Sequence, residues 1–275
     1  QKKMLENPQP DMMHYLQLMQ LNYLSFFHVN WRQLQMGGES LQAAMQNLDL
    51  FFSLAKLKFA CEFYNRKNIL SEFSEIHFLN DLKVYREDLG DDLPRLHFLY
   101  ARLLKLMQDG ELEVYQEVKA SFVQHLGELS AVDRLNILGY LINYVISRTR
   151  QNDPNYTKEN FVLYQIGVAN DILLAKGHIS DTQYLNIVIV ASLGKEWEWL
   201  DSFQKKYEQY LLPSDRDDVV YFVKAYIAFS HKKFSEVIGG LRNVENISKP
   251  SIALRFKGLQ LRAYYEEHGR NDLVY

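Results

Sequence analysis

Residues Tyr221–Pro250 read YFVKAYIAFSHKKFSEVIGGLRNVENISKP. Phe222, Tyr226 and Phe229 recur at spacings of four and three, the period that places side chains on one face of an α-helix. Ala225 and Ala228 share that run. The basic His231-Lys232-Lys233 interrupts the apolar pattern, and Phe234-Ser-Glu-Val237 opens a second one. Two apolar runs joined by so short a polar segment make an antiparallel helical hairpin. A hairpin cannot bury its apolar face alone, so the fold turns on whether other hairpins stack against it.

The neighbouring sequence repeats the pattern. Trp197, Phe234 and Asn271 stand 37 residues apart, and so do Ala191, Ala228 and Tyr265, and Leu200, Val237 and Val274. Lys195, Lys232 and Gly269 fall in the turns at the same interval. A fixed period of this length marks arrays of helical hairpins. Upstream the spacing lengthens to 41, marked by Tyr115, Tyr156 and Trp197.

With Ala225-x-x-Ala228 before the turn, Phe234-x-x-Val237 after it and Pro250 closing the unit, residues 180–275 resemble the tetratricopeptide-repeat (TPR) family. Leu259–Leu273 (LQLRAYYEEHGRNDL) is similar in kind, and Glu196-Trp-Glu-Trp-Leu200 followed by Pro213 looks like the second half of another unit. The resemblance implies an all-α fold, a right-handed superhelical solenoid of stacked antiparallel hairpins. The whole of 1–275 would be one array, with less regular helices over 1–90 and TPR-like hairpins over 91–275. In this family the first helix of each hairpin lines an inner groove that receives partner peptides. By that resemblance Phe222, Tyr226 and Phe229, with Arg255, Arg262 and Glu266 further along, are the candidate partner-binding residues. The sequence also departs from the family. Its period exceeds the roughly 34 residues of the consensus, and Lys224 and Arg262 fall near columns the family keeps apolar or small.

The remaining punctuation is helical. Ser130-Ala-Val-Asp133, Ser180-Asp-Thr-Gln183 and Ser214-Asp-Arg-Asp217 each set a hydroxyl three residues before an acceptor, the pattern of a capped helix start. Pro94, Pro154 and Pro250 suit a first helical residue, whose amide hydrogen has no partner in any case, and Asp153 suits the cap before Pro154. Residues 11–36 and 39–66 read as two long helices, and the acidic Glu87–Asp92 could separate them from the rest of the chain. Leu96, Leu99, Leu103 and Leu106 form one stripe; Leu135, Leu138, Ile142 and Val145 form another. YLNIVIV, Tyr184–Val190, is the one stretch with strand-like character, and its neighbours make it a helix. About a dozen helices of 12 to 25 residues are expected.

The bulk composition narrows the function classes. The chain has 275 residues, a net charge of −3 and an apolar fraction of 47%, values of a folded globular chain. There is no basic surplus of the kind that general nucleic-acid binding needs, so nucleic acid is disfavoured as a partner. Cys61 is the only cysteine, which excludes an intrachain disulfide and a thiolate zinc site and fits a reducing cytoplasm. It lies in a helical pattern without an adjacent histidine, as a core residue would. No stretch has the roughly 18 apolar residues of a membrane span. The sequence opens on Gln and stops inside a helical pattern, which reads as a piece of a longer chain.

No catalytic signature is present. No two histidines share a helix face at metalloprotease spacing, and Gly37-Gly38 and Gly239-Gly240 lack the residues of a phosphate cradle. Carboxylate pairs such as Asp217-Asp218 are adjacent, which on a helix points them about 100° apart. No metal or cofactor is expected. The leading expectation is a non-catalytic module that binds a protein or peptide segment on a concave helical face. The alternatives are an RNA-binding helical repeat and, behind it, an all-α enzyme with convergent groups from distant helices.

Overall fold

The computed structural model describes residues 11–28, 38–149 without 71–93, 154–240, 247 and 249–269. The described chain is all-α. It contains eleven α-helices, which pack mostly against their neighbours in sequence, and no strand among the described residues. Tyr184–Val190 lies in a helix, as its context required. Helix lengths are more uneven than expected, from 7 to 33 residues. Asp153 and Glu87–Asp92 lie outside the described residues.

The helices fall into two compact units, Gln1–Tyr144 and Val145–Tyr275. The first holds α1 (Met12–His28), α2 (Gly38–Leu70), α3 (Arg95–Asp109), α4 (Leu112–Gln124) and most of α5 (Ala131–Thr149). Asp11 caps α1 by accepting the His14 amide at 2.8 Å. Helix α2 runs unbroken for 33 residues because, beyond its first position, it contains neither Gly nor Pro. Leu96, Leu99, Leu103 and Leu106 are all buried on α3, the stripe read from the sequence. Pro94, however, is the residue flanking α3 and not its first helical position.

A buried polar node joins α2, α3 and α5. Ser130 caps α5, accepting the Asp133 amide at 3.2 Å and donating its hydroxyl to Asp133 Oδ2 at 2.7 Å. Asp133 does more than charge the helix start. It is fully buried, and its Oδ1 accepts from the Tyr100 hydroxyl at 2.6 Å and from Lys58 Nζ at 2.5 Å. A buried carboxylate is tolerated only when paired and hydrogen-bonded, and both oxygens here are occupied. Further along, Tyr140 donates to Glu62 at 3.1 Å and Asn143 to Asn65 at 2.9 Å. Lys58, Glu62 and Asn65 thus meet Asp133, Tyr140 and Asn143 in parallel order. Burial, then the Asp133 charge, pushes the Tyr100 phenol far up, so it stays a donor. Cys61 lies beside this node, fully buried, its thiol pushed up by burial.

The second unit holds α6 (Pro154–Ala169), α7 (Asp181–Leu193), α8 (Trp197–Tyr207), α9 (Pro213–Ser230), α10 (Phe234–Gly240) and α11 (Pro250–His268). Ser180 caps α7: its Oγ accepts the Gln183 amide at 3.2 Å and donates to the Gln183 side chain at 3.1 Å. Ser214 does not cap α9. That helix begins one residue earlier at Pro213, whose fixed φ suits the first turn, and the Ser214 hydroxyl donates to Asp215 instead. On α8 Trp199, Phe203 and Tyr207 stack in a row with centroids 5.4 and 5.1 Å apart, braced by Phe161 and Tyr184.

The turns after α7 and α9 are the same structure 37 residues apart. The Lys195 amide bonds to Ser192 O and the Glu196 amide to Ala191 O; Lys232 and Lys233 repeat this with Phe229 and Ala228. This pair of bonds closes a helix through one left-handed residue. Lys195 (φ 59) and Lys232 (φ 61) occupy that position, and Gly269 (φ 75) follows α11 at the same interval.

Candidate binding pocket

Helices α7, α9 and α11 lie side by side, α9 packing against both of the others. Their starts are gathered by one side chain. Lys249 Nζ reaches Asp181 on α7 and Asp215 on α9, each at 2.8 Å, and the Lys249 amide donates to Asp218 at 3.2 Å just before α11 begins. Their ends meet at the turns: the Trp197 and His231 rings stand 4.3 Å apart, and Ser235 donates to Glu267. The three helices therefore run in the same direction, with α8 and α10 returning between them.

Where these three helices meet, Ile189, Phe222, Tyr226, Arg255, Gly258, Leu259 and Arg262 line a cavity of about 220 Å³. Phe222 forms its buried floor, held edge-on against Phe256 at 5.9 Å and stacked on Tyr226 at 6.0 Å. Burial pushes the Tyr226 phenol up, against an opposing pull from the Arg262 charge. Arg255 is half-buried and Arg262 exposed. Gly258 lies inside α11, and a Cβ added there would meet no atom within 4 Å. A mid-helix glycine is less stable than alanine by roughly 0.5–1 kcal/mol, and here the missing side chain leaves the cavity open.

Four of the six candidate residues, Phe222, Tyr226, Arg255 and Arg262, thus come together. Phe229 lies outside the lining and turns its ring onto Phe234 at 5.4 Å. Glu266 lies a turn beyond Arg262, exposed, and forms no ion pair with it. Ile189 and Leu259 were not among the candidates, although the 37-residue register marks them: Ile189 shares a column with Tyr226, and Phe222 with Leu259. Lys224 is exposed. On the helical wheel it points away from Phe222 and Tyr226.

Among the described residues there is no cluster of three or more His, Cys, Asp or Glu able to hold a metal ion, and no helix is long and apolar enough to cross a membrane. No family model, curated protein or solved structure matches this chain.

Proposed function

We propose that this chain is a non-catalytic interaction module, and that residues 181–268 form TPR-like stacked hairpins whose first helices, α7, α9 and α11, hold a segment of a partner protein. The 37-residue recurrence of the same helix-ending turn supports the array. The observation that carries the binding role is the aromatic-floored cavity that opens where these three helices adjoin. At about 220 Å³ it is smaller than the roughly 300–1,000 Å³ of small-molecule and cofactor sites, and it suits one or two side chains of a bound segment. Aromatic and arginine side chains of this kind dominate the energy of protein interfaces.

The test is a photo-crosslinking amino acid placed at Tyr226 of the full chain in its native cells, with Lys224 as the control on the opposite side of α9. A protein adduct at 226 that is absent at 224 is the expected result. Equal adducts at the two positions, or none at either, would contradict the proposal.

A further inference from the structure

The cavity carries a charge signal that aromatic lining alone does not explain. Eight arginines lie among the described residues, and six of them are engaged. Arg66 pairs with Glu62, Arg95 with Glu128 and Arg102 with Glu117. Arg134 and Arg216 donate to backbone carbonyls, and Arg148 also has a partner. Only Arg255 and Arg262 form neither a hydrogen bond nor an ion pair with another described residue, and both border the same cavity. They sit on one face of α11, two turns apart, with Gly258 and Leu259 between them. The other described guanidinium groups have partners, so two without one among the described residues, above an apolar floor, suit an anion that arrives with an apolar neighbour.

Resting on the interaction role proposed above, we infer that the cavity recognises an acidic segment: a Glu or Asp carboxylate held by Arg255 and Arg262, with an adjacent Leu or Phe side chain set over Phe222 and Tyr226 through the gap at Gly258. Guanidinium–carboxylate pairs are strong and directional because two parallel N–H donors match two oxygens. The apolar floor shelters that pair from water and keeps it less screened than an open surface pair. A basic segment is repelled by the same two charges.

The test uses fluorescein-labelled decapeptides in which Glu, or its isostere Gln, stands beside Leu or Phe, titrated into the full chain and read by anisotropy. The Glu peptides are expected to bind at least ten-fold tighter than the Gln peptides at low salt. That preference falls below three-fold in Arg255→Gln/Arg262→Gln, whose two side chains have no hydrogen-bond or ion-pair partner among the described residues. Gly258→Phe fills the cavity without changing charge and is expected to abolish binding while the thermal unfolding midpoint is kept. Equal binding of Glu and Gln peptides that Gly258→Phe still abolishes overturns the acidic ligand and leaves the docking role standing. A Glu preference that survives the double arginine variant also overturns it. Peptide binding unaffected by Gly258→Phe, or no binding by any peptide, overturns both.

Discussion

The two units hold helices together by different means. In the first, a single buried carboxylate, Asp133, collects Tyr100, Lys58 and Ser130 from outside its own helix, and a polar ladder continues along α2 and α5. In the second, the helix ends are fixed by a recurring local turn and the starts by one half-exposed lysine, while apolar side chains such as Val219, Phe222 and Phe256 are buried between them. The turn recurs because Lys195 and Lys232 each end a helix just before a short return helix, a local problem met twice, whereas a buried polar node is solved once and leaves no period.

The sharpest break between the units is expected from Asp133→Ala. It strands Lys58 and Tyr100 without their shared partner, and removal of one member of a buried ion pair costs about 3–5 kcal/mol. Urea unfolding of the full chain followed by hydrogen exchange should show the loss in residues 38–70 and 94–144 and leave 181–240 and 250–268 protected. A loss spread equally over both would contradict a stabilising node confined to the first unit.

Lys249→Met is expected to cost about 1 kcal/mol, the upper end for partly exposed pairs, and to loosen the starts of α7, α9 and α11. Its pH dependence has a defined sign. Burial pushes the Asp181 carboxyl up, but Lys249 and Thr182 together outweigh this and hold it below its usual value. A depressed carboxyl contributes stability above its unfolded value, near 4, and that stability is lost as pH falls through the lower folded value. The hydrogen bonds to Asp181 and Asp215 raise the Lys249 ammonium, so its contribution is present below its unfolded value, near 10.5, and is lost as pH rises beyond that. The variant should therefore differ most from the parent between about pH 5 and 10, and less in acid, as thermal melts across pH would show.

Lys232→Gly is expected to stabilise the second unit by up to about 1 kcal/mol, because glycine takes the left-handed conformation without the clash of a Cβ. Gly258→Ala should add roughly 0.5–1 kcal/mol by removing a mid-helix glycine, since a Cβ there meets nothing. Calorimetry distinguishes either gain from no change.

Much of the helical arrangement was legible because its signals are local. Ser130 and Ser180 cap where their spacing placed them, the matching left-handed turns at Lys195 and Lys232 stand in the register read from Trp197 and Phe234, and Gly269, with its positive φ, follows α11 at the same interval. Ser214 misled because Pro213 is the stronger start signal one position earlier. Asp133 read as a charged helix start; its burial depends on Lys58 and Tyr100, which no local pattern connects to it. At the cavity, Phe222, Tyr226, Arg255 and Arg262 were candidates only through the resemblance to TPR hairpins, in which the first helix lines the groove. Ile189 and Leu259 became visible only when the repeat register was carried across to the adjoining helices. Phe229 left the group because the next helix offers Phe234 as a closer apolar partner.

The most direct test of the proposed stacking of in-register hairpins is the separation of their turns. Nitroxide labels on Lys195→Cys/Lys232→Cys, and on Lys232→Cys/His268→Cys, place probes on successive exposed turns while the buried Cys61 stays unlabelled. If neighbouring units stack one helix spacing apart, about 10 Å, both pairs should show strong dipolar broadening in their electron paramagnetic resonance spectra. Spectra equal to the sum of the single labels would contradict the stacking and, with it, the cavity that α7, α9 and α11 enclose.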